Sequence, residues 1–200
     1  MIENAPGHKN ARVIIYLHGF RSSPASRKAL MLRDRLQQRG LADQYVCPAL
    51  PASPRIASQL ALYAAKAEAP DRVALIGSSL GGYYATWVAE KLGCRAVLLN
   101  PAIDPARDLQ AHIGRQPVFF SDDEIDFRPE YIDHLRALEA PVTRPERYFL
   151  LAATGDTVID YRFMVAKYQG ARQRLIEGSN HELSDFAQYV DEVLAFCGIE

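Results

Sequence analysis

Residues 72–82 read Arg-Val-Ala-Leu-Ile-Gly-Ser-Ser-Leu-Gly-Gly and join two different patterns. The apolar run 73–76 predicts a short buried strand, and a helical pattern over 83–92 follows almost at once. Between them lies the motif G-x-S-x-G, with Ser79 at its centre. In this setting the motif predicts a tight strand-to-helix bend that exposes the serine hydroxyl. The two outer glycines lack a Cβ atom, so the strand and the helix can approach each other closely.

The composition is that of an ordinary globular protein. The chain has 200 residues, of which 48% are hydrophobic and 24% charged, with a formal net charge of −1. It has no cluster of Lys and Arg, so nucleic acid is not an expected partner. No apolar run is long enough to predict a membrane span. The polar stretch 1–10 lacks the apolar core of a signal peptide, so the expected location is the cytoplasm.

No motif indicates a metal or a cofactor. Cys47, Cys94 and Cys197 are widely spaced and are expected to be free thiols in or beside the core. The histidines lie far apart, and neither H-E-x-x-H nor a C-x-x-C pair occurs. The glycines around Ser79 match neither the phosphate-binding loop nor the dinucleotide-binding motif. We therefore expect the protein to work with neither a metal nor a cofactor.

Strand and helix patterns alternate along most of the chain. This alternation predicts an α/β protein whose parallel sheet is covered by helices on both faces. The predicted strands are 12–17, 44–47, 73–76, 95–99, 148–153 and 173–176, and the predicted helices are 29–36, 56–64, 83–92, 160–168 and a last helix capped by Ser184.

Residues 102–147 interrupt the alternation. Five prolines punctuate this segment, and its one helical pattern, 130–138, is short. The segment is too short and too broken to bury a core of its own. We interpret it as a small cap insertion over the strand ends, within a single domain that comprises residues 1–200. The acidic cluster 121–124 is interpreted as solvated surface.

Three residues in the right chain order suggest nucleophilic catalysis. A serine hydroxyl needs a base to take its proton, and the base is usually a histidine oriented by a carboxylate. In sheets of this kind the order along the chain is serine, acid, histidine. Ser79, Asp156 and His181 follow this order, and each comes just after a predicted strand. Because the carboxyl ends of parallel strands meet at one edge, we expect the three to converge.

Other residues compete for the roles of acid and base. Asp160 lies at a helix start and could reach the base, although a helix cap is the simpler interpretation. Asp104 follows the strand after the nucleophile, and Glu182 is adjacent to the predicted base but badly aimed. His18 precedes the nucleophile in the chain, so we assign it a structural role in the turn. The remaining histidines are His8 in the polar tail and His112 and His134 in the predicted cap.

An acyl-transfer site also needs donors for the oxyanion, each worth about 3–4 kcal/mol. One should be the amide of Leu80, the residue after the nucleophile, and the other should come from the loop after the first strand. In that loop, His-Gly-Phe at 18–20, we choose the amide of Phe20. Five aromatic residues are candidates for the lining of an acyl pocket, although each could equally serve only in packing. They are Phe20, Tyr83, Phe119, Phe120 and Tyr131.

Together these residues resemble a known group of proteins. The phrases 18–20, 77–82 and 155–156 with His181 resemble the α/β-hydrolase superfamily. More narrowly, the chain over 12–196 resembles the YqiA-type small bacterial esterases. The phrases that carry this closer resemblance are Tyr-Leu-His-Gly-Phe-Arg-Ser-Ser-Pro at 16–24, Leu-Asn-Pro-Ala at 99–102 and Thr-Gly-Asp-Thr-Val-Ile-Asp-Tyr-Arg at 154–162. One departure is Gly-Ser-Asn-His-Glu at 178–182, where Gly-Gly-Asp-His is more usual.

The resemblance implies a compact carboxylesterase that acts on acyl esters or acyl thioesters. It implies Ser79 as nucleophile, Asp156 as acid and His181 as base. An acyl thioesterase or acyltransferase with the same triad is an alternative, and so is a non-catalytic binding protein on a hydrolase scaffold. In the enzymatic interpretations the partner is a small-molecule ester or thioester. Its acyl length and leaving group, and the oligomeric state of the protein, stay open.

Overall fold

The computed structural model describes residues 12–119 and 121–199. Its strands, in chain order, are β1 Val13–Leu17, β2 Tyr45–Val46, β3 Val73–Ser78, β4 Arg95–Leu99, β5 Gly114–Pro117, β6 Glu124–Phe127, β7 Tyr148–Ala153 and β8 Arg172–Ile176. Six of them form one sheet in the order β2-β1-β3-β4-β7-β8, and all neighbouring pairs in it are parallel. β5 and β6 form a separate antiparallel pair. The predicted parallel α/β architecture is therefore confirmed.

Helices cover both faces of this sheet. They are α1 Arg27–Gln38, α2 Pro54–Lys66, α3 Leu80–Leu92, α4 Pro105–Asp108, α5 Glu130–Arg136, α6 Tyr161–Lys167 and α7 Val190–Phe196. α1 and α7 pack on one face, and α2, α3, α5 and α6 pack on the other.

The central strand β3 shows why the strands read as continuous apolar runs. All six of its residues are buried. Successive side chains point to opposite faces, so Val73 and Leu75 join the core under α2 and α3. Ala74 and Ile76 join the core under α1 and α7. A parallel strand covered on both faces has no solvated side, and its sequence therefore shows no polar alternation.

The end of the chain differs from the prediction. Ser184 does not cap the last helix, because α7 begins only at Val190 and a 3-10 turn, Phe186–Gln188, precedes it. The amide of Ser184 instead donates to the side-chain oxygen of Asn180 at 3.2 Å. Leu183 takes a positive φ of 48°. The chain therefore turns between β8 and α7 where the sequence predicted that it would enter the helix.

The segment 102–147, called the insert below, contains α4, the β5–β6 hairpin and α5. The hairpin was not predicted, because its strands are short and largely polar. The acidic cluster 121–124, which is Ser121 followed by three carboxylates, is exposed at its turn and in the first residue of β6, as predicted. Phe127, Leu135 and Leu138 of the insert are buried in the same core as α2 and α3. The single-domain assignment for residues 1–200 and the cap role of the insert stay predictions.

Candidate active site

Ser79 lies on a strained bend between β3 and α3. Its φ and ψ are 53° and −121°, a combination that residues with a side chain rarely adopt. Its amide donates to the carbonyl of Leu99 at 3.0 Å. Its carbonyl accepts from the amides of Gly82 and Ala102 at 2.9 and 3.0 Å. These bonds to the next strand and helix hold the serine in its unusual conformation.

The glycines of the motif are required by close packing of backbone on backbone. A Cβ atom on Gly81 would lie 2.0 Å from the carbonyl oxygen of Leu17 in β1. A Cβ atom on Gly77 would lie 2.4 Å from the carbonyl oxygen of Gly81. Neither clash can be relieved by rotating a side chain. The motif therefore brings α3 against the carboxyl ends of β1 and β3.

The three residues that the chain order singled out lie together. His181 Nε2 is 3.0 Å from Ser79 Oγ, and His181 Nδ1 is 2.7 Å from Asp156 Oδ2. Since Asp156 accepts the hydrogen on Nδ1, Nε2 of the neutral ring is left to accept from the serine hydroxyl. The Asp156 side chain is 0% exposed and that of His181 is 21% exposed. A polarised chain of hydrogen bonds thus runs from a buried carboxylate to an accessible hydroxyl.

The competing acids have other partners. Asp160 caps α6 by accepting from the amide of Arg162 at 2.9 Å. Asp104 caps α4 by accepting from the amide of Arg107 at 3.2 Å. Asp156 itself accepts from two backbone amides through Oδ1, at 2.8 and 2.9 Å, and keeps Oδ2 for His181. The helix-cap interpretation of Asp160 is therefore confirmed.

His18 has a structural place beside the bend. Its Nε2 accepts from the amide of Leu50 at 3.0 Å, and its Nδ1 donates to the carbonyl of Gly19 at 3.1 Å. It is 4% exposed, and burial lowers its pKa below the usual histidine value. A neutral ring with both nitrogens occupied fixes the loop after β1 against the chain after β2.

Asn100 was not predicted to have a role, although it lies in a phrase that the resemblance uses. Its side-chain amide donates to the carbonyls of Asn180 and His181 at 2.9 and 3.0 Å. Its side-chain oxygen accepts from the amide of Ala153 at 2.8 Å. The residue is fully buried and has a positive φ of 42°. It therefore ties the histidine loop to the ends of β4 and β7, and only the three-dimensional arrangement shows this.

Replacing Asn100 with Ala should lower both stability and turnover. The change removes the partner of the buried amide of Ala153 and of the partly buried carbonyls of Asn180 and His181, and a buried group left unsatisfied costs about 1–3 kcal/mol. We expect the free energy of unfolding in urea to fall by at least about 1 kcal/mol. We also expect kcat for a short acyl ester to fall, because the loop that carries His181 is no longer held in place.

The matched variant Asn100→Asp separates the two effects. A carboxylate can still accept from Ala153, but it turns an oxygen toward the carbonyls of the histidine loop and repels them. We expect Asn100→Asp to impair kcat while it retains the contact to β7. Wild-type kcat in both variants would show that this asparagine does not position the base.

The segments that carry the two predicted oxyanion donors both lie close to Ser79. Leu80 is the first residue of α3, and the Cβ position of Gly19, next to Phe20, lies 3.2 Å from Ser79 Cβ. Within residues 12–119 and 121–199, no hydrogen bond occupies the amide of Leu80 or Phe20. Both amides thus have no partner in this part of the chain, and their role as oxyanion donors stays a prediction.

The insert holds the loop that carries Phe20. The Phe20 ring packs edge-on against Phe127 at 5.1 Å and His112 at 5.8 Å between centroids. The next residue, Arg21, donates through Nε to the carbonyl of Pro117 at 2.7 Å, and its carbonyl accepts from the amide of Phe119 at 2.8 Å. The hairpin and the loop after β1 therefore form one connected wall.

A cavity of about 370 Å³ opens beside Ser79 and His181. Of the predicted pocket residues, Phe20 and Phe119 line it. Tyr83 lies instead in the core, where its hydroxyl donates to the carbonyl of Leu135 at 2.8 Å. Tyr131 packs its ring on Phe127 at 5.5 Å. These two tyrosines therefore pack against other residues and do not line the cavity, which was the alternative to a role in the acyl pocket.

Phe120 lies outside the described residues. The cavity extends to the first turn of α1, a region that the sequence did not single out, where Lys28 is among the lining residues.

The described part of the chain, 12–119 and 121–199, contains no cluster of three or more His, Cys, Asp or Glu residues arranged to hold a metal ion. The three cysteines are free thiols, with Cys94 and Cys197 buried and Cys47 half-buried. None of the helices formed by the described residues combines the length and the apolar character needed to cross a lipid bilayer.

A comparison with sequence models of protein families shows which family this chain belongs to. The sequence model of the Uncharacterised protein family (UPF0227) matches residues 13–198. The chain belongs to this family. The match includes all six strands of the parallel sheet and all three residues of the Ser79–His181–Asp156 arrangement.

Solved structures share the fold at low sequence identity. A hydrolase candidate from Agrobacterium vitis S4 is 20% identical with a TM-score of 0.75, and the alignment covers 97% of this chain and 91% of that one. Est1E from Butyrivibrio proteoclasticus, solved with ferulic acid bound, is 14% identical with a TM-score of 0.67 over 98% and 91%. Mouse alpha/beta hydrolase domain-containing protein 10 is 17% identical with a TM-score of 0.65 over 91% and 89%. The fold is that of the α/β-hydrolases.

Proposed function

We propose that this protein is a serine esterase that hydrolyses carboxylic acyl esters through an acyl-enzyme intermediate. The observation that supports this most directly is the hydrogen-bond chain from Asp156 through His181 to Ser79, at 2.7 and 3.0 Å. The carboxylate is buried and the serine stands on a strained bend beside a cavity. Fold alone does not fix function, so the proposal depends on this geometry.

The first half-reaction acylates the serine. Ser79 Oγ attacks the acyl carbon while its proton moves to His181 Nε2, and the buried carboxylate of Asp156 stabilises the imidazolium. The carbonyl oxygen becomes an oxyanion, which the amides of Phe20 and Leu80 stabilise. The bond to the alcohol then breaks, and the alcohol leaves with the proton from Nε2.

The second half-reaction releases the acid. A water molecule gives a proton to His181 Nε2 and attacks the acyl carbon, and the same two amides stabilise the second oxyanion. The bond to Ser79 Oγ breaks, the serine takes the proton back, and the carboxylic acid leaves. The cavity of about 370 Å³ is in the range of pockets for small molecules and would hold the acyl group during both steps. The insert acts as the cap of this cavity.

An acyl thioesterase would use the same groups and differ in its leaving group. Relative kcat/KM on an oxygen ester and a sulfur ester with the same acyl chain would separate the two activities. An acyltransferase would also use them, and would transfer the acyl group to an added alcohol in preference to water.

Covalent labelling tests the proposed nucleophile. We expect a fluorophosphonate to add one phosphonyl group to the folded protein, and peptide mass spectrometry to find it on Ser79, because the base at 3.0 Å activates that hydroxyl. Ser79→Ala should not be labelled. Ser121→Ala, which removes an exposed serine in the hairpin turn, should be labelled like the wild type.

Two outcomes would contradict the proposal. One is a folded wild-type protein that resists labelling at high probe concentration. The other is a label on a serine other than Ser79. The first would favour the interpretation as a non-catalytic binding protein, and the second would mean that Ser79 is not the nucleophile.

A further inference from the structure

The cavity beside Ser79 continues to a group of polar residues at the start of α1. The lining of the cavity includes Ser79, His181 and Phe119. It also includes hydroxyl and charged side chains that the esterase mechanism does not use. These residues are Ser22, Ser23, Ser26, Arg27, Lys28 and Glu182.

Lys28 is the unusual member of this group. Its ammonium donates to the carbonyl of Glu182 at 2.6 Å, next to His181 in the chain. Among the described residues, no carboxylate lies within ion-pair distance of it. On the same helix, Arg33 pairs with Asp34, and Arg35 pairs with Asp191. Lys28 therefore lines the cavity as a cation without an ion pair among the described residues, although the Glu182 carboxylate is near enough to favour its charge.

The fold holds this cation in a place that disfavours its charge. Burial lowers the pKa of Lys28 to about 8, with Arg27 adding to this effect and Glu182 opposing it. The other titratable groups that line the cavity are Tyr16 and His181. A half-buried ammonium that bonds a carbonyl and forms no ion pair among the described residues costs stability, so its presence here needs an explanation other than stability.

We propose that the part of the cavity beside Lys28 is a subsite for an anionic group on the substrate, so that the preferred ester carries a carboxylate or a phosphate remote from the scissile bond. This inference depends on the proposed function. The ammonium has donors left after its bond to Glu182, and the neighbouring hydroxyls add further donors. A charge-assisted hydrogen bond in a partly desolvated cavity is stronger than a neutral one.

The anion can belong to either half of the substrate, and two matched pairs of esters distinguish these sources. In the first pair, mono-4-nitrophenyl suberate carries a carboxylate on its acyl chain, and 4-nitrophenyl octanoate is its neutral counterpart. In the second pair, 4-carboxyphenyl octanoate carries the carboxylate on its leaving group, and phenyl octanoate is its neutral counterpart. For each pair the measured quantity is the selectivity ratio, kcat/KM of the anionic ester divided by that of the neutral ester, corrected for uncatalysed hydrolysis.

Replacing Lys28 with Met keeps most of the apolar stem and removes the charge. We expect the selectivity ratio of at least one pair to fall by about 10- to 100-fold, the range for losing a hydrogen bond to a charged group. The thermal midpoint should stay the same or rise. Arg33→Met, which removes an exposed cation from the same helix, should leave the ratio and the activity at the wild-type level.

The pH dependence gives a test that needs no variant. In the wild type, the ratio should fall as the pH rises through about 8, because Lys28 loses its proton there while a carboxylate stays charged. Any effect of pH on the shared catalytic groups acts on both esters of a pair and cancels in the ratio. In Lys28→Arg the cation persists, so the decline should disappear.

The outcomes separate this inference from the proposed function. If the wild type cleaves the neutral ester but both ratios are the same in wild type and Lys28→Met, the subsite is refuted. Equal losses on the anionic and neutral esters would also refute it, because they would mean that Lys28 only holds the loop of His181. If the wild type cleaves none of the four esters, the proposed function fails instead.

Discussion

Ser79→Ala is expected to lower kcat for a chromogenic short acyl ester by about 10⁶-fold, the loss seen when the nucleophile of a serine protease triad is removed. The reason is chemical: alanine has no oxygen to attack the acyl carbon, so the remaining groups can only assist water. The residual rate should exceed the uncatalysed rate, since the oxyanion donors and the cavity remain. The measurement is kcat and KM on purified variants, with Ser121→Ala as the matched serine control.

The Ser79→Ala variant should keep its fold. The conformation of residue 79 is held by backbone bonds to Leu99, Gly82 and Ala102, and none of these involves the hydroxyl. Circular dichroism and urea unfolding should therefore match the wild type closely. Activity that survives at more than about a thousandth of the wild-type level in a folded variant would rule out this serine as the nucleophile.

The sequence predicted those features that local patterns determine. The strands appear as apolar runs because both faces of the sheet are covered, and the glycines at 77 and 81 mark a bend that only glycine permits. The order of Ser79, Asp156 and His181 sufficed to predict their convergence, because the ends of parallel strands meet at one edge.

Other features could not be predicted, because they depend on contacts between distant segments. The carbonyl that accepts from Lys28 lies 154 residues further along the chain. Asn100 binds the backbone of residues 80 and 81 positions away. Neither the contact of Lys28 nor those of Asn100 produce a periodic pattern in the sequence. The hairpin of the insert was missed for another reason, since its polar strands lack the apolar alternation that predicts a strand.

The acid of the proposed triad was chosen among several carboxylates, and Asp156→Asn tests that choice. We expect kcat to fall by about 10⁴-fold, as when the triad aspartate of a serine protease becomes asparagine. Oδ1 of Asp156 accepts from the amides of Val158 and Ile159, so the oxygen of an asparagine will stay on that side. Its NH₂ group then faces His181 Nδ1 and can only donate to it. The ring proton must move to Nε2, where it prevents the base from accepting the proton of Ser79.

Asp160→Asn is the matched control for this change. Asp160 lies four residues further along the same loop and caps α6 through the amide of Arg162. An asparagine is about as good an N-cap as an aspartate, so we expect kcat to change less than about tenfold. If Asp160→Asn instead costs as much as Asp156→Asn, the second carboxylate acts on the base as well. If Asp156→Asn retains wild-type kcat, the hydrogen bond of 2.7 Å between His181 Nδ1 and Asp156 Oδ2 does not set the tautomer of the base. Asp156 is then not the acid of the triad.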